Sequence, residues 1–222
     1  MIRVLHSVSN MDRAGIETML MNYYRRIDRD VLQFDFLANK PKPGDYDEEI
    51  RSMGGHIYVS PGLNPIRYPG YIKYMRQILA ADRDIAIVHA HNEAMGYYAL
   101  RGAERAGIKT RIAHAHNTRI IRDYKWPLKM VCKLLLPHAA SDLWACGRDA
   151  GIYFFGRRRW NAGGMVMRNA IDTARFRFDP EVRAAVRAEN GLGDRTVIGH
   201  VGRFNIRYPA ASSRIPIRSS SR

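Results

Sequence analysis

Residues 85–117 read IAIVHAHNEAMGYYALRGAERAGIKTRIAHAHN, a stretch that contains the tetrapeptide His-Ala-His-Asn twice. The first copy, residues 89–92, follows the apolar run at 85–88, and the second, residues 114–117, follows the run at 111–113. Both runs are typical of strand ends, whereas residues 93–109 have the composition of a helix. The stretch therefore predicts a strand, helix, strand unit with the same polar cluster at both carboxyl ends.

Such a unit crosses over with a right hand and makes its two strands parallel, so both clusters lie at one sheet edge. Side chains alternate along a strand, which places the two histidines of each copy on one face. Ligand crevices of open α/β sheets form outside the carboxyl ends of the strands. We therefore expect the functional site here, with these candidate residues: His89, His91, Asn92, His114, His116 and Asn117.

Three roles are open for the paired histidines. Four imidazoles would make a zinc or nickel site, but no matching acid accompanies them, and an amidohydrolase-like barrel needs about 250 residues. The second role is contact with a polar substrate, and the third is hydrogen bonding within the sheet. We favour substrate contact and expect no metal.

The rest of the chain alternates strand and helix patterns. Strands are predicted at residues 3–9, 32–37, 56–59, 141–146, 165–167 and 196–201, and helices after Gly15, before Gly54, at 70–81, within 119–137 and at 147–159. This alternation predicts an α/β fold with a Rossmann-like, doubly wound parallel sheet. The 222 residues suffice for one such domain and part of another.

Composition limits which cell compartment and which classes of binding partner are expected. The two cysteines, Cys132 and Cys146, form no C-x-x-C pair, which favours a reducing, cytoplasmic compartment. The formal charge is +15, and the four arginines of residues 206–222 leave +11 for the rest, which suggests an anionic partner. The chain shows no RNP-type strand, zinc-finger spacing or recognition helix, so nucleic acid is not expected.

A basic stripe runs through residues 119–137. Lys125, Lys129 and Lys133 recur every four residues, and residues 157–159 add three arginines. With the apolar residues between the lysines, the stripe could contact an anionic membrane. An ordinary solvated helix face gives the same pattern and is the favoured interpretation.

The motifs, taken in order, resemble a known family. They are residues 14–17 (AGIE), 88–92 (VHAHN), 112–117 (IAHAHN), 169–173 (NAIDT) with Phe176, and 199–204 (GHVGRF). In this order the chain resembles family 4 retaining glycosyltransferases of GT-B architecture, especially bacterial members of capsular and extracellular polysaccharide assembly. The resemblance covers residues 1 to about 205.

That resemblance implies two Rossmann-like domains across a cleft. Residues 1–168 would be the acceptor-side domain, 169–205 the junction with the first strand of an incomplete donor domain, and 206–222 a disordered, out-of-frame tail. His116 matches the family's catalytic-site histidine that contacts the sugar or acceptor. Gly15 matches the glycine turn near the donor phosphates, although Ala14 replaces the commoner first glycine, and Arg203 matches the arginine that pairs with the diphosphate.

The implied reaction transfers a sugar from a nucleotide-sugar to a glycan acceptor, lipid-linked in many members, with retention and without metal or other cofactor. Family members continue with a lysine and a Glu-x7-Glu segment, which residues 206–222 lack. We therefore expect this chain to have no turnover alone, and to be cytoplasmic with the inner face of the plasma membrane as a peripheral site. Two alternatives stay open: a metal-dependent hydrolase, and a non-catalytic basic module for lipid or polysaccharide.

Overall fold

The computed structural model describes residues 1–62 and 68–199 and shows strands alternating with helices along the chain. The strands are β1 Ile2–Val8, β2 Leu32–Ala38, β3 Ile57–Val59, β4 Ile85–Ala90, β5 Thr110–Ala115, β6 Asp142–Ala145 and β7 Met165–Val166. The helices are α1 Gly15–Tyr24, α2 Asp47–Ser52, α3 Tyr68–Ala81, α4 Tyr97–Arg105, α5 Trp126–Ala139, α6 Arg148–Phe155, α7 Arg157–Gly163 and α8 Pro180–Glu189.

The seven strands form one sheet in the order β3-β2-β1-β4-β5-β6-β7, and every neighbouring pair is parallel. The chain winds outward from β1 to β3, returns to β4 beside β1, and then winds the other way. The prediction of a Rossmann-like, doubly wound parallel sheet is confirmed. Its switch point lies between β1 and β4, where open α/β sheets form their ligand crevices.

The two faces of the sheet bury separate apolar cores. On one face, Val4 and Val8 of β1 pack with Met19, Leu20 and the rest of the buried side of α1. On the other, Leu5 belongs to the larger core that includes residues from α3 to α7. His6 alternates with Leu5 and contacts Phe34 and Phe36, so it faces the α1 core.

Two predicted helices differ in detail from the observed ones. The helix predicted at 147–159 is two helices, α6 and α7, because Gly156 between them has a φ of +81° and interrupts the helical path. The helix predicted at 93–109 begins as the 3-10 turn Glu93–Gly96 and continues as α4. Neither change moves a tetrapeptide away from the end of its strand.

The chain divides into a compact unit of residues 1–172 and a second unit that begins at Thr173. The first unit extends beyond residue 168, the predicted boundary, because the chain after β7 returns to α1. Asn22 Nδ2 donates to the Ala170 carbonyl at 2.9 Å, Tyr23 Oη donates to the Arg168 carbonyl at 2.9 Å, and Arg26 pairs with Asp172. Residues 168–172 therefore belong to the first unit.

In the second unit, the structure describes residues 173–199. Asp179 caps α8 by accepting from the amides of Glu181 and Val182, and the side chains of Val182 and Val186 are exposed. Residues 196–199, the described part of a predicted strand, adopt no regular secondary structure. Arg203 and residues 206–222, including the predicted disordered tail, lie outside the described residues. Over the described ranges, no helix is long and apolar enough to cross a membrane.

Candidate functional site

The two tetrapeptides lie at the carboxyl ends of β4 and β5, which pair directly. His6 of β1 stands opposite His89 in the parallel register and joins them. Five histidines from three adjacent strands thus form one cluster at the switch point of the sheet. The sequence predicted the convergence of the four histidines in the tetrapeptides and missed the fifth.

Short contacts between ring nitrogens connect the histidines, which we call the histidine cluster: His6, His89, His91, His114 and His116. His6 Nδ1 lies 3.1 Å from His91 Nε2, and His91 Nδ1 lies 3.0 Å from His116 Nε2. A separate contact of 3.1 Å joins His89 Nε2 to His114 Nδ1. A neutral imidazole has one donor and one acceptor. His6, His91 and His116 can therefore form a continuous hydrogen-bonded chain.

Burial keeps the whole cluster neutral at pH 7. Removal from water lowers the pKa of His6 to about 3, that of His114 to about 2 and that of His116 to about 4. Burial also lowers the pKa of His89 and His91 well below the ordinary value, and the neighbouring imidazoles add to the shift. The rings therefore serve as neutral donors, acceptors or metal ligands, and not as cations.

Only the outer edge of the cluster reaches solvent. His6, His89, His91 and His114 are buried, whereas His116 is half-buried and Asn117 is exposed. Of the residues predicted to contact substrate, the structure therefore brings His116 and Asn117 to an accessible position. It places His89, His91 and His114 behind them.

Glu93 joins this accessible edge. Its carboxylate accepts a hydrogen bond from the side-chain amide of Asn117. Burial raises the pKa of Glu93, and its φ of +50° is a left-handed conformation that non-glycine residues rarely adopt. Strain of this kind clusters at functional sites, so Glu93 belongs with His116 and Asn117 as a candidate residue.

Asn92 has a different environment from Asn117. Its side-chain amide lies 2.7 Å from Ser7 Oγ and 3.2 Å from Asn39 Nδ2. Asn39 also accepts hydrogen bonds from Ser60 at 2.9 Å and from Tyr71 at 3.2 Å. Asn92 is therefore part of a network of mostly buried polar groups that ties β4 to β1 and β2, and its role in substrate binding stays a prediction.

Gly15 is the first residue of α1, and Ala14 caps the helix without a side-chain hydrogen bond. A Cβ atom placed on Gly15 would meet nothing within 4 Å. The space beside this helix amino terminus is therefore open, as the approach of a phosphate to backbone amides requires.

Comparisons with known proteins agree with this geometry. The model of Glycosyltransferase Family 4 matches residues 13–146, which include both tetrapeptides and Gly15. The chain belongs to glycosyltransferase family 4. EpsF of Bacillus subtilis (strain 168) is 34% identical over 208 residues, which cover 91% of this chain and 54% of EpsF. The capsular polysaccharide biosynthesis glycosyltransferase CapH of Staphylococcus aureus is 28% identical over 119 residues, covering 54% of this chain and 32% of CapH.

Solved structures show the same fold. HepE of Anabaena, crystallised with UDP and glucose, superposes with a TM-score of 0.68 at 15% identity, covering 92% of this chain and 54% of HepE. A glycosyltransferase of Rickettsia africae has a TM-score of 0.63 at 13% identity, covering 87% of this chain and 50% of its own. The fold is that of the amino-terminal half of a GT-B glycosyltransferase. The chain spans about half the length of these relatives.

Two residues of the site, His6 and Glu93, were not predicted from the sequence. His6 follows Val4 by two positions and precedes Val8 by two, so alternation alone puts it on the inner face of β1, where a histidine is unusual. A histidine on the inner face of a predicted strand could therefore have identified His6 from the sequence. Glu93 gave no signal, because its left-handed backbone depends on the turn that leads from β4 into the 3-10 helix.

Proposed function

We propose that this chain is the acceptor-side part of a glycosyltransferase that moves a sugar from a nucleotide-sugar to a lipid-linked glycan, with retention of configuration. The observation that carries the proposal is the accessible polar edge formed by Glu93, His116 and Asn117 at the ends of β4 and β5. Families with this sheet bind their ligands at that edge. The family match and the polysaccharide role in CapH's name support the substrate class.

His116 is the proposed catalytic residue. Its Nε2 is held by His91, so a sugar or acceptor hydroxyl would meet Nδ1 of a neutral ring. A fixed, neutral imidazole can position a hydroxyl and accept or donate one hydrogen bond without adding charge. We assign direct substrate contact to His116, Asn117 and Glu93, and positioning of His116 to His91.

Gly15 is the proposed site of donor phosphate contact. The amino terminus of α1 offers backbone amides and the positive end of a helix dipole to a diphosphate. HepE was crystallised with UDP, which supports a nucleotide-sugar donor for this fold. The family's retaining transfer proceeds without an enzyme carboxylate nucleophile, so stabilisation of the departing diphosphate is the main electrostatic task. Arg203 is the proposed partner of that diphosphate.

A peripheral membrane contact through α5 would bring the site to a lipid-linked acceptor at the cytoplasmic face. The side chains of Val131, Leu134 and Leu135 are exposed on this helix, and Arg157–Arg159 at the start of α7 are also exposed. Lys129 pairs with Asp123 at 2.7 Å, and Lys133 lies 3.9 Å from the ring centre of Tyr153. The proposed contact therefore depends more on these apolar residues and arginines than on the lysine stripe.

A chimaera tests the proposed function. Residues 1–199 would replace the matching part of EpsF, and transfer of labelled sugar from several nucleotide-sugars to membrane lipids would be measured. We expect label in the lipid fraction, and a loss of about 10-fold or more with His116→Ala, which removes a positioning group. The control is His56→Ala, an exposed histidine just before β3 and outside the histidine cluster. Transfer that is equal in both variants would refute the role of His116.

The same preparation separates the two rivals. A metal-dependent hydrolase would release free sugar and lose that activity with a chelator. A non-catalytic basic module would bind anionic vesicles or polysaccharide without any effect of nucleotide-sugar. Turnover by the 222-residue chain alone, which we expect to be absent, is measured in the same assay.

A further inference from the structure

The histidine cluster contains more imidazoles than the proposed function uses. His6, His89 and His91 are each 3% exposed or less, and their contacts are with one another and with other aromatic rings. In the described part of the chain, Nε2 of His6 and Nε2 of His114 are buried without a hydrogen-bond partner, whereas Nδ1 of His6 faces His91.

The spacing of these three rings suits a metal ion. One ring nitrogen from each of His6, His89 and His91 lies within 4.8 Å of the other two. Two imidazole nitrogens on a tetrahedral zinc ion, at about 2.0–2.1 Å each, are about 3.4 Å apart. His6 Nδ1 and His91 Nε2 are already 3.1 Å apart, so small ring rotations would complete the set.

The outer histidines provide the support that metal ligands usually have. A ligating histidine commonly donates its second ring N–H to a neighbouring acceptor, which fixes the tautomer and the ring orientation. His91 faces His6 with Nε2 and His116 with Nδ1, and His89 contacts His114 through Nε2. His114 and His116 therefore stand where hydrogen-bond acceptors for the ligands belong.

The three rings are buried, with one another and other aromatic rings as neighbours and no carboxylate among them. Neutral imidazole is the form that ligates metals. Three such ligands leave one tetrahedral position, where a solvent-derived hydroxide would reduce the net charge.

We propose that His6, His89 and His91 bind one divalent transition-metal ion of the zinc type, with His114 and His116 as hydrogen-bonding support. The site joins β1 to β4 at the switch point and lies behind the accessible edge formed by Glu93, His116 and Asn117. The expectation of no metal rested on the lack of a matching acid beside the four histidines of the tetrapeptides, and His6 now adds a fifth imidazole. It supplies the third ligand on the inner side.

A second group of possible ligands, Asp35, His56 and Asp82, does not compete. The guanidinium of Arg3 already occupies the space between its carboxylates, with Nε at 2.7 Å from Asp35 and 3.3 Å from Asp82. Charge and hydrogen bonding are thus satisfied there without an ion. His56 is therefore a suitable control histidine.

The test is calorimetric titration of the chelator-treated 222-residue chain with Zn2+, repeated with Co2+ for its absorption spectrum. We expect one ion per chain and the intense visible bands of four-coordinate Co2+. His6→Phe and His91→Phe should each weaken binding by about 100-fold or more, whereas His116→Gln, which removes only support, should cost about 10-fold. His56→Asn should bind as the original chain does.

Two results would overturn the proposal. One is an original chain that binds no stoichiometric Zn2+ and gives only the weak spectrum of hydrated Co2+, a result that needs no variant to fold. The other is loss of binding in His116→Gln with full retention in His6→Phe, which would place the ion on His91, His114 and His116 instead. Circular dichroism of each variant in chelator establishes that it is folded.

Discussion

Two copies of one tetrapeptide occupy neighbouring strands and have different environments. In the first copy, His89 and His91 are buried and Asn92 belongs to a polar network with Ser7 and Asn39. In the second, His116 is half-buried and Asn117 is exposed and bonded to Glu93. The histidines of the first copy are both buried, whereas the second copy has its last two residues, His116 and Asn117, in accessible positions.

The difference arises from the neighbours of each strand. β4 lies between β1 and β5, so its end is surrounded by His6, Ser7 and the second tetrapeptide. β5 pairs on its outer side with the four-residue strand β6, which supplies no histidine to the cluster. The same four residues therefore become structural or accessible according to their place in the sheet.

The largest effect should come from acid, because four of the five imidazoles of the histidine cluster are buried and burial lowers the pKa of all five. Their pKa values in the folded state lie below the unfolded value of about 6.5, so below that pH the unfolded chain binds more protons. We expect the free energy of unfolding to fall as pH drops from 6.5 to 5, by up to about 1.4 kcal/mol per pH unit for each histidine. Above pH 7 these groups should contribute no slope.

Urea unfolding of the chelator-treated chain, measured at closely spaced pH values, tests this. His116→Gln should reduce the slope of the free energy of unfolding against pH by up to about 1.4 kcal/mol per pH unit, which corresponds to one proton. His138→Gln, on the exposed end of α5, serves as its control. A stability that stays constant down to pH 5 would contradict burial of the cluster as neutral rings.

The two asparagines give a direct comparison of the copies. Asn92→Ala leaves partly buried polar partners unsatisfied, and we expect it to lower the free energy of unfolding by about 1–3 kcal/mol. Asn117→Ala removes an exposed hydrogen bond and should stay within about 0.5 kcal/mol. Urea unfolding of the matched pair is the measurement. Equal losses would remove the distinction between a structural and an accessible copy.

In the chimaera with EpsF, activity should show the opposite order. His116→Ala should reduce sugar transfer by about 10-fold or more, equivalent to ~1.4 kcal/mol, with the fold retained. His89→Ala should matter less for transfer, because its ring lies behind the accessible edge. Transfer rates are to be read together with thermal unfolding. If the loss in His116→Ala matches a loss of stability, that residue is structural as well.

The sheet and the convergence of the tetrapeptides were predictable because both follow from local patterns. Strand alternation and crossover handedness bring residues 89–92 and 114–117 together in any parallel β4–β5 pair. The depth of each histidine was not predictable, because it depends on which side chains the neighbouring strands supply. His6 and Glu93 were missed for related reasons: one is distant in sequence, and the other owes its role to a strained turn.

The helices that follow the two copies differ in the same sense, which gives the last and smallest prediction. α4 buries Tyr98, Leu100 and Ala103, whereas α5 exposes Val131, Leu134 and Leu135. If α5 lies on an anionic membrane, replacing Arg157–Arg159 by glutamine should weaken vesicle binding by up to about 1 kcal/mol per residue.

Flotation with neutral and anionic vesicles, at low and high salt, measures this contact. The matched control replaces three arginines beside the cavity between α3 and α4, Arg76, Arg83 and Arg105, and so removes the same charge. A membrane-facing α5 predicts that only the α7 variant loses binding to anionic vesicles, and that salt removes the difference by screening the charges. Equal losses in both variants would mean that net charge alone governs binding. In that case the exposed face of α5 is an ordinary solvated surface, and the difference between the two copies is confined to the ends of β4 and β5.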